Sequence, residues 1–240
     1  IAYNSLIVNT NASTSKELNI IVDSDCNGYG NIVVAMGSMV TAGKQIDIEA
    51  QDIVLDGLMK AENMPITIRT CPTRGITIGG PGQAEHDLEL VQYELQQIRS
   101  ENLTFITTYG PIRVYRMQTV DTKDVVGIIT VNASGAGADI AFEEQVDVKG
   151  MLALSSNGIT INSTVTATES NLVLNSDRFP VGKYGMRIKE DEGLVSWYGI
   201  ILLQQDSVTA GIHLSAPSYW EASEGITVGA PLDFDGKGRF

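Results

Sequence analysis

The chain has 240 residues, with 29 Asp and Glu against 16 Lys and Arg, and a formal net charge of -13. Such a charge repels nucleic acid and anionic membrane surfaces, and 43% hydrophobic residues are too many for a disordered segment. The longest apolar run, Trp197 to Leu203, falls far short of the ~20 residues that span a bilayer, and two His and two Cys leave little for histidine catalysis or a disulfide scaffold.

The chain opens on Ile1 with no basic and apolar leader before it, and it closes on Asp235-Gly236-Lys237-Gly238-Arg239-Phe240, a turn that leads into no strand. Both ends read as cut from a longer protein. Residues 1–22 then form the tail of a preceding unit or a linker, 23–177 the main body, and 178–240 a further segment ending at the start of a next repeat. Asp23-Ser24-Asp25-Cys26-Asn27-Gly28-Tyr29-Gly30 near the start is echoed by Asp233-Phe234-Asp235-Gly236-Lys237-Gly238 at the end. The matching glycines, 28 and 236, lie 208 residues apart, so one reading is a tandem unit of ~208 residues. The other is that Gly-Asp turns recur in any strand-rich chain.

Between these ends, short alternating runs dominate, each closed by Gly, Asn, Asp or Ser. They include Ile46-Asp47-Ile48, Ile66-Thr67-Ile68, Ile76-Thr77-Ile78, Leu103-Thr104-Phe105-Ile106 and Ile112-Arg113-Val114. Residues 87–98 break the pattern, because Leu88, Val91, Leu95 and Ile98 are spaced as on one face of a helix. This predicts a turn or two of helix or an irregular insertion. From 139 to 174 the runs begin every six or seven residues, so three short strands take ~20 residues. That beat is too tight for ordinary hairpins and predicts an all-β, right-handed parallel β-helix with three strands per coil. A uniform beat would make about twelve coils. Gly193 to Leu203 is more apolar than the other runs and reads as a buried strand pair or a contact between units.

Ile76-Thr77-Ile78-Gly79-Gly80, then Leu88-x-Leu90-x-x-x-Glu94-Leu95-x-x-Ile98, then Leu103-Thr104-Phe105 resembles a block of the filamentous-haemagglutinin-like repeat proteins. Ile112-Arg113-Val114, Ile159-Thr160-Ile161-Asn162 and Leu172-Val173-Leu174 are similar to the short-strand repeats of that family, and the resemblance covers roughly residues 19–177. It implies a large secreted or surface protein, folded as a right-handed parallel β-helix and acting in adhesion or as an extracellular fibre.

Several residues carry candidate chemistry. Asp23-x-Asp25-x-Asn27-Gly28 places oxygen ligands at alternate positions before a glycine, as calcium loops do. Val34 stands where an EF-hand has its bidentate Glu, so either a weaker calcium site or an Asx-rich turn fits. Asn11, Asn102, Asn132 and Asn162 open Asn-x-Ser/Thr sequons, read as glycosylation acceptors or as chance matches. Cys26 and Cys71 are 45 residues apart, more than two coils, or ~10 Å along a regular stack. That exceeds the ~7 Å a disulfide spans unless loops bring them together, so an intrachain bond, two buried thiols and a bond to a neighbouring unit all stand. Asp47, Asp52 and Asp56, with Arg69 or Arg74, would form a carboxylate face of a carbohydrate-active enzyme if they converged. Tyr109, Tyr115, Trp197, Tyr198, Tyr219 and Trp220 are spread along the chain, which favours core or interface packing over a glycan platform.

The expectation is therefore a non-enzymatic structural unit of an extracellular or cell-surface filament, with neighbouring copies or repeats of itself as end-to-end partners. Calcium is the one cofactor in view. An adhesin holding glycans or proteins on a lateral face is the second reading, and a β-helix enzyme the third. Neither nucleic acid nor membrane insertion is expected.

Overall fold

Apolar residues at every second position bury one side of a strand and leave the other wet, and here those runs last only two to five residues. The structure is a computed structural model that describes residues 5–80, 88–176, 185–204, 212–215, 218–229 and 232–234. In chain order its strands begin with β1 (Ser5–Val8), β2 (Ala12–Thr14), β3 (Leu18–Ile21), β4 (Asn31–Val34), β5 (Met39–Ala42), β6 (Ile46–Glu49), β7 (Asp52–Leu55), β8 (Leu58–Ala61) and β9 (Ile66–Arg69). Then come β10 (Ile76–Ile78), β11 (Leu88–Leu90), the single helix turn α1 (Gln92–Leu95), β12 (Ile98–Arg99), β13 (Leu103–Thr107), β14 (Ile112–Val114) and β15 (Ile129–Ala133). The series continues with β16 (Ile140–Phe142), β17 (Val146–Val148), β18 (Met151–Ser155), β19 (Ile159–Ile161), β20 (Val165–Ala167) and β21 (Leu172–Ser176). It ends with β22 (Met186–Ile188), β23 (Gly193–Ser196), β24 (Ile200–Gln204), β25 (Ile212–Leu214), β26 (Tyr219–Ala222), β27 (Gly225–Gly229) and β28 (Leu232–Phe234).

The fold is all-β, and the ladders are parallel. The longest sheet runs β3-β6-β9-β13-β15-β18-β21-β24-β27. A second runs β11-β10-β14-β16-β19-β22-β25-β28, and shorter sheets run β1-β4-β7, β2-β5-β8-β12 and β17-β20-β23-β26. Sheet neighbours thus come from successive passes of the chain, with strands of other sheets serving as the crossover that parallel pairing requires. Parallel pairing in register stacks like on like. Ile48, Ile68, Phe105, Val131, Ala153, Leu174 and Leu203 form one buried column. Ile76, Ile112, Ile140, Ile159, Met186 and Ile212 form another.

The ~20-residue beat holds for only some passes. In-register residues are 20 apart from Ile46 to Ile66 and 21 apart from Met151 to Leu172, but 28 apart from Leu18 to Ile46 and 37 apart from Ile66 to Leu103. The loop 22–30 lengthens the first of these and the segment from 79 to 97 the second, so the longest sheet has nine strands instead of about twelve. In that segment Leu88-Glu89-Leu90 is a strand, not the start of a helix, because it pairs with Ile76-Thr77-Ile78. Among the described residues helix is confined to one turn, Gln92–Leu95, which carries Leu95 inward. Strand β11 lies between β10 and β7, against the order of the chain.

Ladders also run across both expected boundaries: β1, β2 and β3 pair with β4, β5 and β6, and β21 pairs with β24. The apolar stretch from Gly193 to Leu203 is two strands in different sheets, β23 and β24, joined by a tight turn and not paired with each other. Residues 235–240, with Gly236 of the terminal echo, lie outside the described residues. Among the described residues no helix is long and apolar enough to cross a membrane.

Corners repeat a hydroxyl device. Thr70, Thr107 and Ser155 each follow or end a strand of the nine-stranded sheet, and each Oγ donates to a carbonyl three or four residues ahead, on Arg74, Gly110 and Gly158. At Arg74 and Gly110 the hydroxyl supplies a turn carbonyl with a partner in place of water, and at Gly158 it adds a second bond to a carbonyl that also accepts the Ile140 N–H at 3.1 Å.

Candidate functional site

The Asp23 loop begins where the chain leaves β3. Asp23 and Cys26 hold φ of 60° and 54°, which bends the backbone back on itself. Asp23 is fully buried, its Oδ1 accepts the Gly28 N–H at 3.0 Å, and its carbonyl accepts the Cys26 N–H at 2.9 Å. The loop closes so tightly that a Cβ at Gly30 would stand 2.1 Å from the Asp23 nitrogen. Asn27 donates to Asp25 Oδ2 at 2.8 Å and accepts the Tyr29 N–H at 3.1 Å. Both carboxylate oxygens of Asp23, one of Asp25 and the amide oxygen of Asn27 are therefore engaged inside the loop, in the pattern of an Asx-rich turn. Among the described residues no group of three or more His, Cys, Asp or Glu is gathered as a metal site.

This loop solves the distance problem between the cysteines. Cys71 follows β9, two ladder steps from β3, and the folded loop carries Cys26 across the gap to a Cα–Cα separation of 5.7 Å. The two form an intrachain disulfide.

The four sequons differ in setting. Asn11 is exposed. Asn102 is half-buried and its Oδ1 accepts the Ile128 N–H at 2.9 Å, a role that Asn171 repeats for Ile200. Asn132 sits between Ile106 and Leu154 on the outer side of the long sheet, with its Oδ1 covered. Asn162 donates its amide, the atom a glycan would need, to Glu143 at 2.7 Å.

The carboxylates expected as a catalytic face do not all converge: Asp52 and Asp56 both lie near Glu94, and Asp47 is apart from them. Asp47 lies on β6 and pairs with Arg69 on β9 at 3.1 Å, whereas Asp52 begins β7 in another sheet. Asp52 faces a different group, in a cleft of about 620 Å³ beside α1 lined by Asp52, Glu89, Gln92, Tyr93, Glu94 and Gln96. Its carboxylate accepts the Glu89 N–H at 3.3 Å, and burial raises its pKa above the usual value. Glu94 is buried, with one oxygen accepting the Leu55 N–H at 3.1 Å and the other the Val91 N–H at 3.0 Å. It thus fastens α1 to β7. Burial, aided by the nearby charges of Asp52 and Asp56, outweighs those two hydrogen bonds and raises its pKa to about 7. The signal for Glu94 was present in the chain, as the one charged residue beside inward positions in Val91-Gln92-Tyr93-Glu94-Leu95.

A raised carboxyl pKa means that the native state keeps its proton to higher pH than the unfolded chain. The Glu94 contribution to stability therefore falls as pH rises from ~4.5 to ~7, by at most about 3 kcal/mol, and is level above that. Urea unfolding at pH 5 and at pH 7.5 should show this loss in the wild type and much less of it in Glu94→Gln. Matching pH profiles for the two proteins would contradict the assignment.

The aromatic residues separate into two groups. Trp220 packs partly against the core and Tyr115 is half-buried, whereas Tyr109, Trp197, Tyr198 and Tyr219 are exposed and so lie outside the core. No protein-family model matches the chain, and neither a curated protein nor a solved structure matches it.

Proposed function

We propose that this chain belongs to a secreted, repetitive, right-handed parallel β-helix of the filamentous-haemagglutinin-like kind, and serves as a structural unit of an extracellular or cell-surface filament. Copies or repeats of the unit stack along the direction in which the strands of each sheet follow one another. The observation that carries this reading is a coincidence of two spacings. The glycine echo in the sequence has an offset of 208, and Leu18 and Ile226, also 208 apart, occupy the same column of the nine-stranded sheet. The inward neighbours match as well, with Ile20 standing in line with Val228. A unit that returns to the same column after 208 residues can continue into another without losing the inward-outward pattern that a one-residue slip would invert.

Parallel stacking suits this role because each added pass pairs the open backbone edge of the last one and covers its apolar face. The -13 charge would keep the sides of such a fibre apart and soluble. Electron microscopy of the native material tests the proposal. Unbranched filaments a few nanometres wide are the expected result, and isolated particles at all concentrations would contradict it.

A further inference from the structure

Between β23 and β24 the chain turns through Trp197, Tyr198 and Gly199, and the two aromatic side chains are 58% and 71% exposed. A single exposed ring is ordinary, but these two adjoin a cavity of about 280 Å³ whose other lining residues are Ser196, Glu221, Ala222 and Ser223. The turn beneath them is firmly held. Trp197 N–H donates to the Ala167 carbonyl at 2.9 Å, Ser196 Oγ to the Ser170 carbonyl at 3.1 Å, and Ile200 N–H to Asn171 Oδ1 at 3.1 Å. From the next pass, Ser223 N–H donates to the Ser196 carbonyl at 3.2 Å. A Cβ at Gly199 would meet Asn171 Oδ1 at 2.6 Å, so the turn is drawn close against the preceding pass. Two large rings are thus presented to solvent from a rigid corner, beside a hollow with an exposed carboxylate and a serine.

We propose that this corner is a binding site for an uncharged saccharide. A pyranose has an apolar face of C–H groups and a rim of hydroxyls. The face stacks on an aromatic ring, whose negative π-cloud attracts C–H hydrogens, and the hydroxyls donate to a carboxylate. Trp197 and Tyr198 supply the stacking surface, Glu221 the acceptor and Ser223 a further polar group. The cavity lies just below the ~300–1,000 Å³ of drug-sized pockets, which suits one or two sugar rings. Its lining holds Glu221 and no Lys or Arg, and the chain carries a net charge of -13, so uronates and sulfated sugars are disfavoured. The site uses residues distinct from those that carry the stacking proposal and does not depend on it.

The test titrates the full chain with N-acetylchitotriose and cellotetraose, with trigalacturonate as the anionic control, and reads saturation-transfer NMR and tryptophan fluorescence. Saturable binding of a neutral oligosaccharide at micromolar to millimolar concentration is expected, with little response to the uronate. Trp197→Ala and Tyr198→Ala should each weaken binding about tenfold or more while leaving the melting temperature unchanged, since both side chains stand outside the core. Glu221→Gln should weaken it less. No saturable response to either neutral sugar, or affinity unchanged in both aromatic variants, would overturn the proposal. So would self-association of the wild type that Trp197→Ala abolishes, because the patch would then be a contact between copies.

Discussion

Breaking the Cys26–Cys71 bond, by reduction or by Cys26→Ser with Cys71→Ser, is expected to destabilise the protein by about 4 kcal/mol. The bond closes a 45-residue loop, and the loss of chain entropy in the unfolded state scales with the logarithm of that length. For a domain of this size the shift in melting temperature is roughly 10 °C. Thermal unfolding followed by circular dichroism, with and without reductant, measures it. The loss should be felt most at the Asp23 loop, whose two non-glycine residues of positive φ, Asp23 and Cys26, are held there by the bond and by the Gly28 N–H. The double Cys→Ser variant should show the same loss as reduction, and reductant should then change nothing further. A melting temperature unaffected by reductant would mean that the cysteines are not joined.

Phe105→Ala should cost about 3–5 kcal/mol, the range for removing a buried aromatic ring where neighbours cannot collapse into the space. Phe105 is fully buried in the central column of the long sheet, between Ile68 and Val131. The adjacent residue, Ile106, faces outward in the same strand and is only half-buried, so Ile106→Ala should cost no more than about 1 kcal/mol. The pair of variants tests the register itself. A slip of one position would exchange the two side chains between core and surface, and equal or reversed costs in urea unfolding would contradict the pairing described.

These residues also show how much of the molecule the chain makes legible. Alternation identified β6, β9, β10, β13 and β14 because parallel in-register stacking needs nothing beyond apolar residues at every second position. The segment from 87 to 98 was ambiguous for a physical reason. Leu88, Val91, Leu95 and Ile98 fit a helical face, yet Leu88 and Leu90 fit a strand equally well, and the open edge of β10 decides in favour of the strand. The varied length of the passes was hidden because loops such as 22–30 leave no periodic trace. Proximity across passes was hidden too. Nothing local places Asp52 beside Glu89 and Glu94 while separating it from Asp47, since that depends on which sheet each strand joins. Likewise, Trp197 and Trp220 are both apolar residues near strand ends, and only the turn geometry exposes one and packs the other against the core.

The corner hydroxyls of Thr70, Thr107 and Ser155 were readable in principle, because each stands at the end of an apolar alternation and three or four residues before a turn carbonyl. Their regular placement matters for stacking, since a corner that keeps its hydrogen bonds can be repeated pass after pass without stranding a buried polar group.

The central claim is that a 208-residue unit returns to its own register and stacks. X-ray diffraction from aligned native fibres tests it most directly. Leu18 and Ile226 are eight ladder steps apart in the long sheet, so at ~4.8 Å per step the axial repeat should be about 38 Å. The account predicts a strong meridional reflection near 4.8 Å together with layer lines indexing on ~38 Å. A 4.8 Å reflection running across the fibre axis, or an axial repeat that eight steps cannot supply, would contradict it.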